Sequence, residues 1–149
     1  MALEQYKVTT SEHAMIFDFT SIGKHGEIPK RVHYSETNIP NIYNLGFGDV
    51  HPIHGNIDDL VISNNGDSQK VLATVAATAL TFTEYYPDGW VYIVGATPAR
   101  TRLYRIGIAN NLDFIAEHFL VLGLKNGEWL LFEPNQEYEA FLARRKKNL

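Results

Sequence analysis

Trp90-Val91-Tyr92-Ile93-Val94-Gly95-Ala96-Thr97-Pro98-Ala99-Arg100-Thr101-Arg102-Leu103-Tyr104-Arg105-Ile106-Gly107-Ile108-Ala109-Asn110-Asn111 packs a strand, a turn, a helix and three arginines into one stretch. Trp90 to Val94 is a short run of β-branched and aromatic residues between Gly89 and Gly95, which reads as a buried strand. Thr97 followed by Pro98 is a helix start: the hydroxyl accepts from a free N–H of the first turn, and proline suits the first helical position. At 100° per residue Ala99, Leu103 and Ile106 share one face, Arg102 and Arg105 fall on one flank, and Arg100 lies on the other beside Tyr104. Asn110 and Asn111 supply C-cap chemistry through the left-handed conformation that asparagine tolerates. A strand running through glycine into a helix N-terminus, with guanidinium groups close by, is an anion site in outline. It lacks the G-K-[ST] of a P-loop and the G-x-G-x-x-G of a dinucleotide turn, and the competing reading is that the arginines pair with carboxylates and pin the helix to the sheet.

Upstream, Ser63-Asn64-Asn65-Gly66-Asp67-Ser68 is a second strand-to-helix turn, rich in Asx-turn and N-cap residues. The helix it opens runs to about Tyr85, and Ala73, Ala76, Ala77 and Ala79 allow close approach to a sheet. It reads as the central buried helix, carrying the chain back so that strands at Leu60-Val61-Ile62 and at Trp90 are parallel neighbours. On that reading the turns at Asn64 and Gly95 flank one crevice at a sheet edge, where ligands bind in sheets with helical crossovers.

Before it, the pattern predicts antiparallel strands. Tyr6 to Val8 is a short one; Met15, Phe17 and Phe19 alternate with Ile16, Asp18 and Thr20. Gly23-Lys24-His25-Gly26 closes a hairpin onto Ile28 to Ser35, and Ile42 to Val50 follows after the Asn38-Ile39-Pro40-Asn41 turn. Gly46 and Gly48 share a face of that third strand, so another backbone or a helix should lie close to it. Downstream, Leu112 to His118 reads as a short helix, Phe119 to Leu124 and Trp129 to Phe132 as a hairpin about Asn126-Gly127, and Pro134-Asn135 as the start of a last helix with Tyr138, Phe141 and Leu142 as its apolar stripe. The fold class is α+β: a single domain over residues 1–149, with a largely antiparallel sheet made of an N-terminal meander and a C-terminal hairpin, and a central buried helix with smaller helices packed on it.

Composition narrows the function classes. The chain has 149 residues, 45% of them hydrophobic, enough for one domain with a sizeable core. A net charge of −4 argues against general binding to nucleic acid or anionic membranes, although the run Arg144-Arg145-Lys146-Lys147 keeps an RNA contact in view beside its plainer reading as a cationic helix end. With no cysteine, disulfides, thiolate zinc sites and a cysteine nucleophile are excluded. Met1-Ala2-Leu3-Glu4-Gln5-Tyr6-Lys7 has no basic-then-apolar pattern of a signal peptide, and the longest charge-free apolar stretch, Val71 to Thr83, is too short to span a bilayer, so a cytoplasmic protein is expected.

The strings Tyr43-Asn44-Leu45-Gly46-Phe47-Gly48-Asp49, Ile57-Asp58-Asp59, Asn64-Asn65-Gly66-Asp67, Gly95 to Tyr104 and Tyr138-Glu139-Ala140-Phe141-Leu142 occur together. In these the chain resembles a family of small bacterial proteins of unknown function, with T-P-A-R-T-R-L-Y as the specific part. The resemblance implies a stand-alone cytoplasmic bacterial domain and assigns no catalytic residue.

Asp49, His51, His54, Asp58 and Asp59 set an H-x-x-H pair among carboxylates, but no third histidine or supporting shell is suggested, and neither a metal nor another cofactor is expected. No serine, histidine and carboxylate form a triad motif. The leading expectation is a binding or interaction domain whose ligand site takes Asn64, Asn65, Asp67, Gly95, Thr97, Arg100, Arg102 and Arg105, with a small anionic ligand or a protein as partner. Two alternatives stand beside it: an enzyme on a phosphate-bearing substrate such as a nucleotide or RNA, with Asp67 or Asp59 as base, and a subunit of a two-gene bacterial module with an apolar face awaiting its partner.

Overall fold

The structure, a computed structural model, describes residues 4–58 and 64–147. Nine strands form one mixed, mostly antiparallel sheet, and three helices, α1 (Ser68–Tyr85), α2 (Pro98–Asn110) and α3 (Leu112–His118), join its core. The strands are β1 (Thr9–Thr10), β2 (Ile16–Gly23), β3 (Gly26–Glu36), β4 (Ile42–Val50), β5 (Ile57–Asp58), β6 (Trp90–Ile93), β7 (Phe119–Lys125), β8 (Glu128–Leu131) and β9 (Ala140–Arg145), in the spatial order β1-β2-β3-β4-β6-β9-β7-β8 with β5 beside β4.

The expected meander is present. Alternation places Phe17 and Phe19 of β2, Val32 and Tyr34 of β3, and Leu45 and Phe47 of β4 on the inner face, all buried. The close backbone expected at the β4 glycines is present at Gly48, where a Cβ would stand 2.5 Å from the Asp58 carbonyl oxygen of β5, and not at Gly46, where a Cβ would meet only the His33 carbonyl at 3.6 Å. Asn126 and Gly127, both at positive φ (52° and 79°), turn β7 into β8 as the Asn-Gly pair demands.

α1 packs Val71, Leu72, Val75 and Phe82 into this face, with the Phe82 ring stacked 4.2 Å from that of Tyr34. Thr74, Thr78 and Thr83 are buried too, and their hydroxyls return hydrogen bonds to the helix: Thr74 donates to the Lys70 carbonyl (2.7 Å), Thr78 to that of Val75 (2.7 Å) and Thr83 to that of Ala79 (2.8 Å). The same oxygens serve neighbours, since Thr74 Oγ1 accepts from the Tyr6 amide and Thr78 Oγ1 pairs with the Tyr34 hydroxyl. Such buried polar atoms are tolerated because each has a partner.

Five expectations need correction. The parallel neighbour of β6 is β4, with Ile42 opposite Trp90 and Asn44 opposite Tyr92, and its other edge is taken by β9; the expected strand at Leu60-Val61-Ile62 lies outside the described residues. The last helix is instead strand β9, which pairs with β6 on one side and β7 on the other. Its apolar spacing suits either structure, and two unfilled ladder edges decide for the strand by satisfying its backbone. The first strand is Thr9–Thr10, not Tyr6 to Val8. Finally, α2 is rotated from the expected face: Arg100, Tyr104, Gly107 and Ile108 are buried, whereas Ile106 is 39% exposed. Gly107 explains the choice, since a Cβ there would meet Leu72 of α1 at 3.1 Å, so the helices cross at that position. Asn111 ends α2 without the left-handed turn, at φ −109°, and its side-chain amide donates to the Gly107 carbonyl at 2.8 Å.

Candidate anion-binding cleft

The turn from β6 into α2 is built as the sequence requires. Thr97 is extended (φ −133°, ψ 160°), and its hydroxyl accepts from the Arg100 amide at 3.1 Å. The Gly95 amide donates to Thr101 Oγ1 at 2.9 Å, and a Cβ on Gly95 would stand 2.4 Å from the Thr101 nitrogen, so only glycine lets the strand end pass the first helical turn. Thus the Gly95 N–H and the Thr97 hydroxyl, both expected to hold an anion, are already bonded within the turn.

Beside this turn opens a cleft of about 700 Å³. One wall is the segment from Val94 to Ala99 with Arg102 and Arg105; the other is Glu137, Tyr138 and Glu139, from the strap between β8 and β9. The strap is anchored: the Tyr138 ring lies against Gly123, where a Cβ would come within 2.3 Å of it, and contacts the Phe132 and Phe141 rings. Its hydroxyl accepts from the Glu133 amide at 2.9 Å, and the Glu139 amide donates to the Leu124 carbonyl at 2.8 Å. Arg102 is exposed and Arg105 half-buried, and no carboxylate among the described residues lies within ion-pair distance of either.

Arg100 is elsewhere. Only 3% exposed, it donates from Nη2 to the Phe47 carbonyl at 2.7 Å and lies over the Phe47 and Tyr104 rings, 5.1 and 5.9 Å from their centroids. It ties α2 to β4 and borders a separate hollow of about 180 Å³ with Asn44, Gly46 and Tyr104. It does not share the cleft as a partner to Arg102, because its place in the buried stripe points it into the core.

Asn64, Asn65 and Asp67 are not at the cleft either. Asn65 is buried: its Nδ2 donates to Ser21 Oγ and to the Gly26 carbonyl (both 3.0 Å), and its Oδ1 accepts from the His25 amide (2.6 Å). Asp67 accepts from the hydroxyls of Tyr6 and Ser21, both at 2.6 Å, and Asn64 accepts from the Gly66 amide. Burial and the bond to Asp67 both hold the Tyr6 phenol above its ordinary pKa. This network clamps the β2–β3 hairpin. Lys30 is level with Asp49 and Tyr92 with Asn44, so Gly26 stands about six residues further along the sheet than Gly95, roughly 20 Å. The two turns therefore do not flank one crevice.

The remaining candidates resolve similarly. His51 and His54 stack at 4.7 Å, His51 Nδ1 accepts from the amides of Ile53 and His54, and Asp49 is bound to Lys30. Among the described residues no three histidine or carboxylate side chains gather as a metal would need; Asp59 lies outside them. Of the C-terminal cations, Arg144 and Arg145 stand on β9 and Lys146 and Lys147 follow it. Arg144 lies 5.4 Å from the centroid of the Trp90 ring, while Arg145 ties β9 to α1, donating to the Leu80 carbonyl at 2.7 Å and pairing with Glu84 at 3.4 Å. Glu137 and Glu139 escaped sequence reasoning because they belong to a segment expected to be helical.

Fold and cleft together define a class: a single-domain α+β protein whose mixed sheet, helices and connecting strap frame an arginine-lined cleft. The chain belongs to DUF6934, a family of unknown function, matched over residues 2–146. No curated protein and no solved structure matches it. Among the described residues no helix is long and apolar enough to cross a membrane.

Proposed function

We propose that this domain binds a small anionic group, a phosphate or carboxylate, in the cleft beside the α2 N-terminus. The observation that carries the reading is the pair Arg102 and Arg105, which line the cleft with no described carboxylate at ion-pair distance. The positive end of α2 adds to their field. Glu137 and Glu139 on the facing wall narrow the ligand class, since they repel a polyanion and suit a compact ligand with an anionic end toward the arginines and a donor or cationic end toward the strap. The net charge of −4 also disfavours nucleic acid. We further infer a bacterial cytoplasmic setting, which the T-P-A-R-T-R-L-Y resemblance and the absence of cysteine support.

An amide NMR titration with phosphate, acetate, a mononucleotide and a short RNA tests this. Shifts are expected at Ala96, Thr97, Ala99, Arg102 and Arg105, and each of Arg102→Ala and Arg105→Ala should weaken binding about tenfold, as expected for a charge-assisted bond of roughly 1.5 kcal/mol. Absence of shifts at millimolar phosphate and acetate would refute it. One observation favours a catalytic reading, namely that carboxylates and arginines share this cleft, although neither Asp67 nor Arg100 is among them. Turnover of phosphate esters that is lost in Glu137→Gln or Glu139→Gln would support it; no turnover would leave binding alone.

A further inference from the structure

The sheet has two faces, and α1, α2, α3 and the strap anchored by Tyr138 all pack on one of them. Residue alternation and register define the other. On β2, β3 and β4 it is mixed, carrying the Asp18–Arg31 ion pair, His33, Ser35 and Asn44 between Ile16, Ile22 and Ile42. Beyond β4 its character changes abruptly. β7 places Leu120, Leu122 and Leu124 there, with Leu142 of β9 opposite Leu122. β6 adds Trp90 and Tyr92, and β8 adds Trp129 and Leu131, the last 66% exposed. The Tyr92 and Trp129 rings reach toward each other to 6.3 Å, covering part of the leucine row.

A sheet with one solvated face alternates apolar and polar residues, as β2 to β4 do; strands apolar on both sides belong to sheets covered on both sides. β6, β7 and the middle of β9 have the second pattern but only the first kind of cover among the described residues, and the edge strand β8 is exposed throughout. We infer that this half-face is an interface, and that its occupant is the same half-face of a second copy of the chain.

Two quantities favour a copy. The first is charge. Among the described strand residues of the half-face Arg144 alone is ionised, and it already lies on the Trp90 ring, with Asp88 and Lys147 beside it at the rim. Such a surface carries little charge by which a differently charged partner would be read, whereas a surface like itself meets it without stranding an ion. A two-fold axis in the interface plane, crossing β9 at Leu142, sets each Arg144 over the Ala140 end of its mate. The two guanidiniums then stand roughly 13 Å apart, beyond the ~8 Å Debye length. The second is area. Four strands at ~4.8 Å and about 20 Å of strand length give a footprint of roughly 400 Å² per copy. That is the size of a monomer's largest apolar patch, which is often functional, and the roughly 800 Å² that a pair would bury is well below a standard interface, so the dimer expected is a weak, reversible one.

Sedimentation equilibrium of the full chain tests this. The wild type is expected to be a monomer–dimer system with a micromolar Kd. Leu122→Glu and Leu131→Glu should each raise Kd at least about tenfold with unchanged far-ultraviolet circular dichroism, while Ile39→Glu, at an exposed turn, should not change it. If Leu122→Glu does not fold, dilution of the wild type should still move the amide resonances of Leu122 and Leu142. A monomer at hundreds of micromolar, or a dimer indifferent to both leucine substitutions, would overturn the proposal. So would a dimer broken by Leu131→Glu but not by Leu122→Glu, with no dilution shifts at Leu122 and Leu142, since that is pairing of β8 edges. The half-face lies on the opposite side of the sheet from the arginine cleft, so either result is independent of anion binding.

Discussion

Asn65→Ala separates a structural role from a ligand-binding one. Three hydrogen bonds of the Asn65 side chain hold the β2–β3 hairpin, to Ser21 Oγ, the Gly26 carbonyl and the His25 amide. Each is worth about 1 kcal/mol net. The Gly26 carbonyl and His25 amide stand at the exposed hairpin tip and can recover water, whereas Ser21 is fully buried and keeps only part of its network. The expected loss is therefore about 2–3 kcal/mol, or a fall in Tm of roughly 5–10 °C for a domain of this size. Urea denaturation followed by tryptophan fluorescence and circular dichroism measures it, with the slope against denaturant unchanged. Because Ser21 bridges Asn65 to Asp67, Ser21→Ala and the double variant should show coupling of about 0.5–1 kcal/mol. Since every polar atom of Asn65 is engaged internally, the anion titration of Asn65→Ala should match the wild type. A destabilisation under about 0.5 kcal/mol, or a folded variant that has lost phosphate shifts at Arg102 and Arg105, would refute this reasoning.

Two further outcomes follow from the same coordinates. Thr97→Ala removes the hydroxyl that accepts from the Arg100 amide and should cost about 1 kcal/mol in urea denaturation, restored in large part by Thr97→Ser. Stability should also fall in alkali: Tyr34 is fully buried, and desolvation, the largest influence, raises its phenol pKa well above the ordinary 10.0. Above pH ~10 the unfolded chain therefore releases this proton while the folded chain holds it, and stability declines by up to about 1.4 kcal/mol per pH unit from this group. Tyr34→Phe should lose about 1 kcal/mol at neutral pH with the bond to Thr78 and then show a shallower alkaline decline, read from urea midpoints between pH 9 and 11.

Much of the cleft was legible one residue at a time. The Thr97 cap, the helix start at Pro98 and the need for Gly95 are local matters of backbone geometry, and each stands where its residue type required. The grouping was not legible. Helical periodicity placed Ala99, Leu103 and Ile106 on the core face because it ranks side chains by hydropathy, and ranking by hydropathy sets an arginine outside. Arg100 nevertheless lies inside, since the Phe47 carbonyl accepts from it and two aromatic rings sandwich it, while Gly107 permits the close crossing with Leu72 that fixes the rotation of α2. Asn65 and Asp67 were read as a binding turn for their chemistry, and that chemistry serves the hairpin beside them.

The sequence by itself determined the elements whose cause is local: the β2 to β4 meander from alternation, the β7–β8 hairpin from Asn126-Gly127, α1 from its helical apolar spacing and small residues although no side chain caps its start, and the strand–turn–helix at Gly95. Tertiary structure alone decided which edges met. β6 entered beside β4, and the segment from Ala140 became a strand because ladder edges of β6 and β7 stood open on either side of it, a condition set by residues 16 to 26 positions away on β7 and 48 to 54 on β6 and invisible to any window along the chain. That same choice drew the strap across to face Arg102 and Arg105, and it left the leucine and tryptophan half-face of the sheet turned away from the helices.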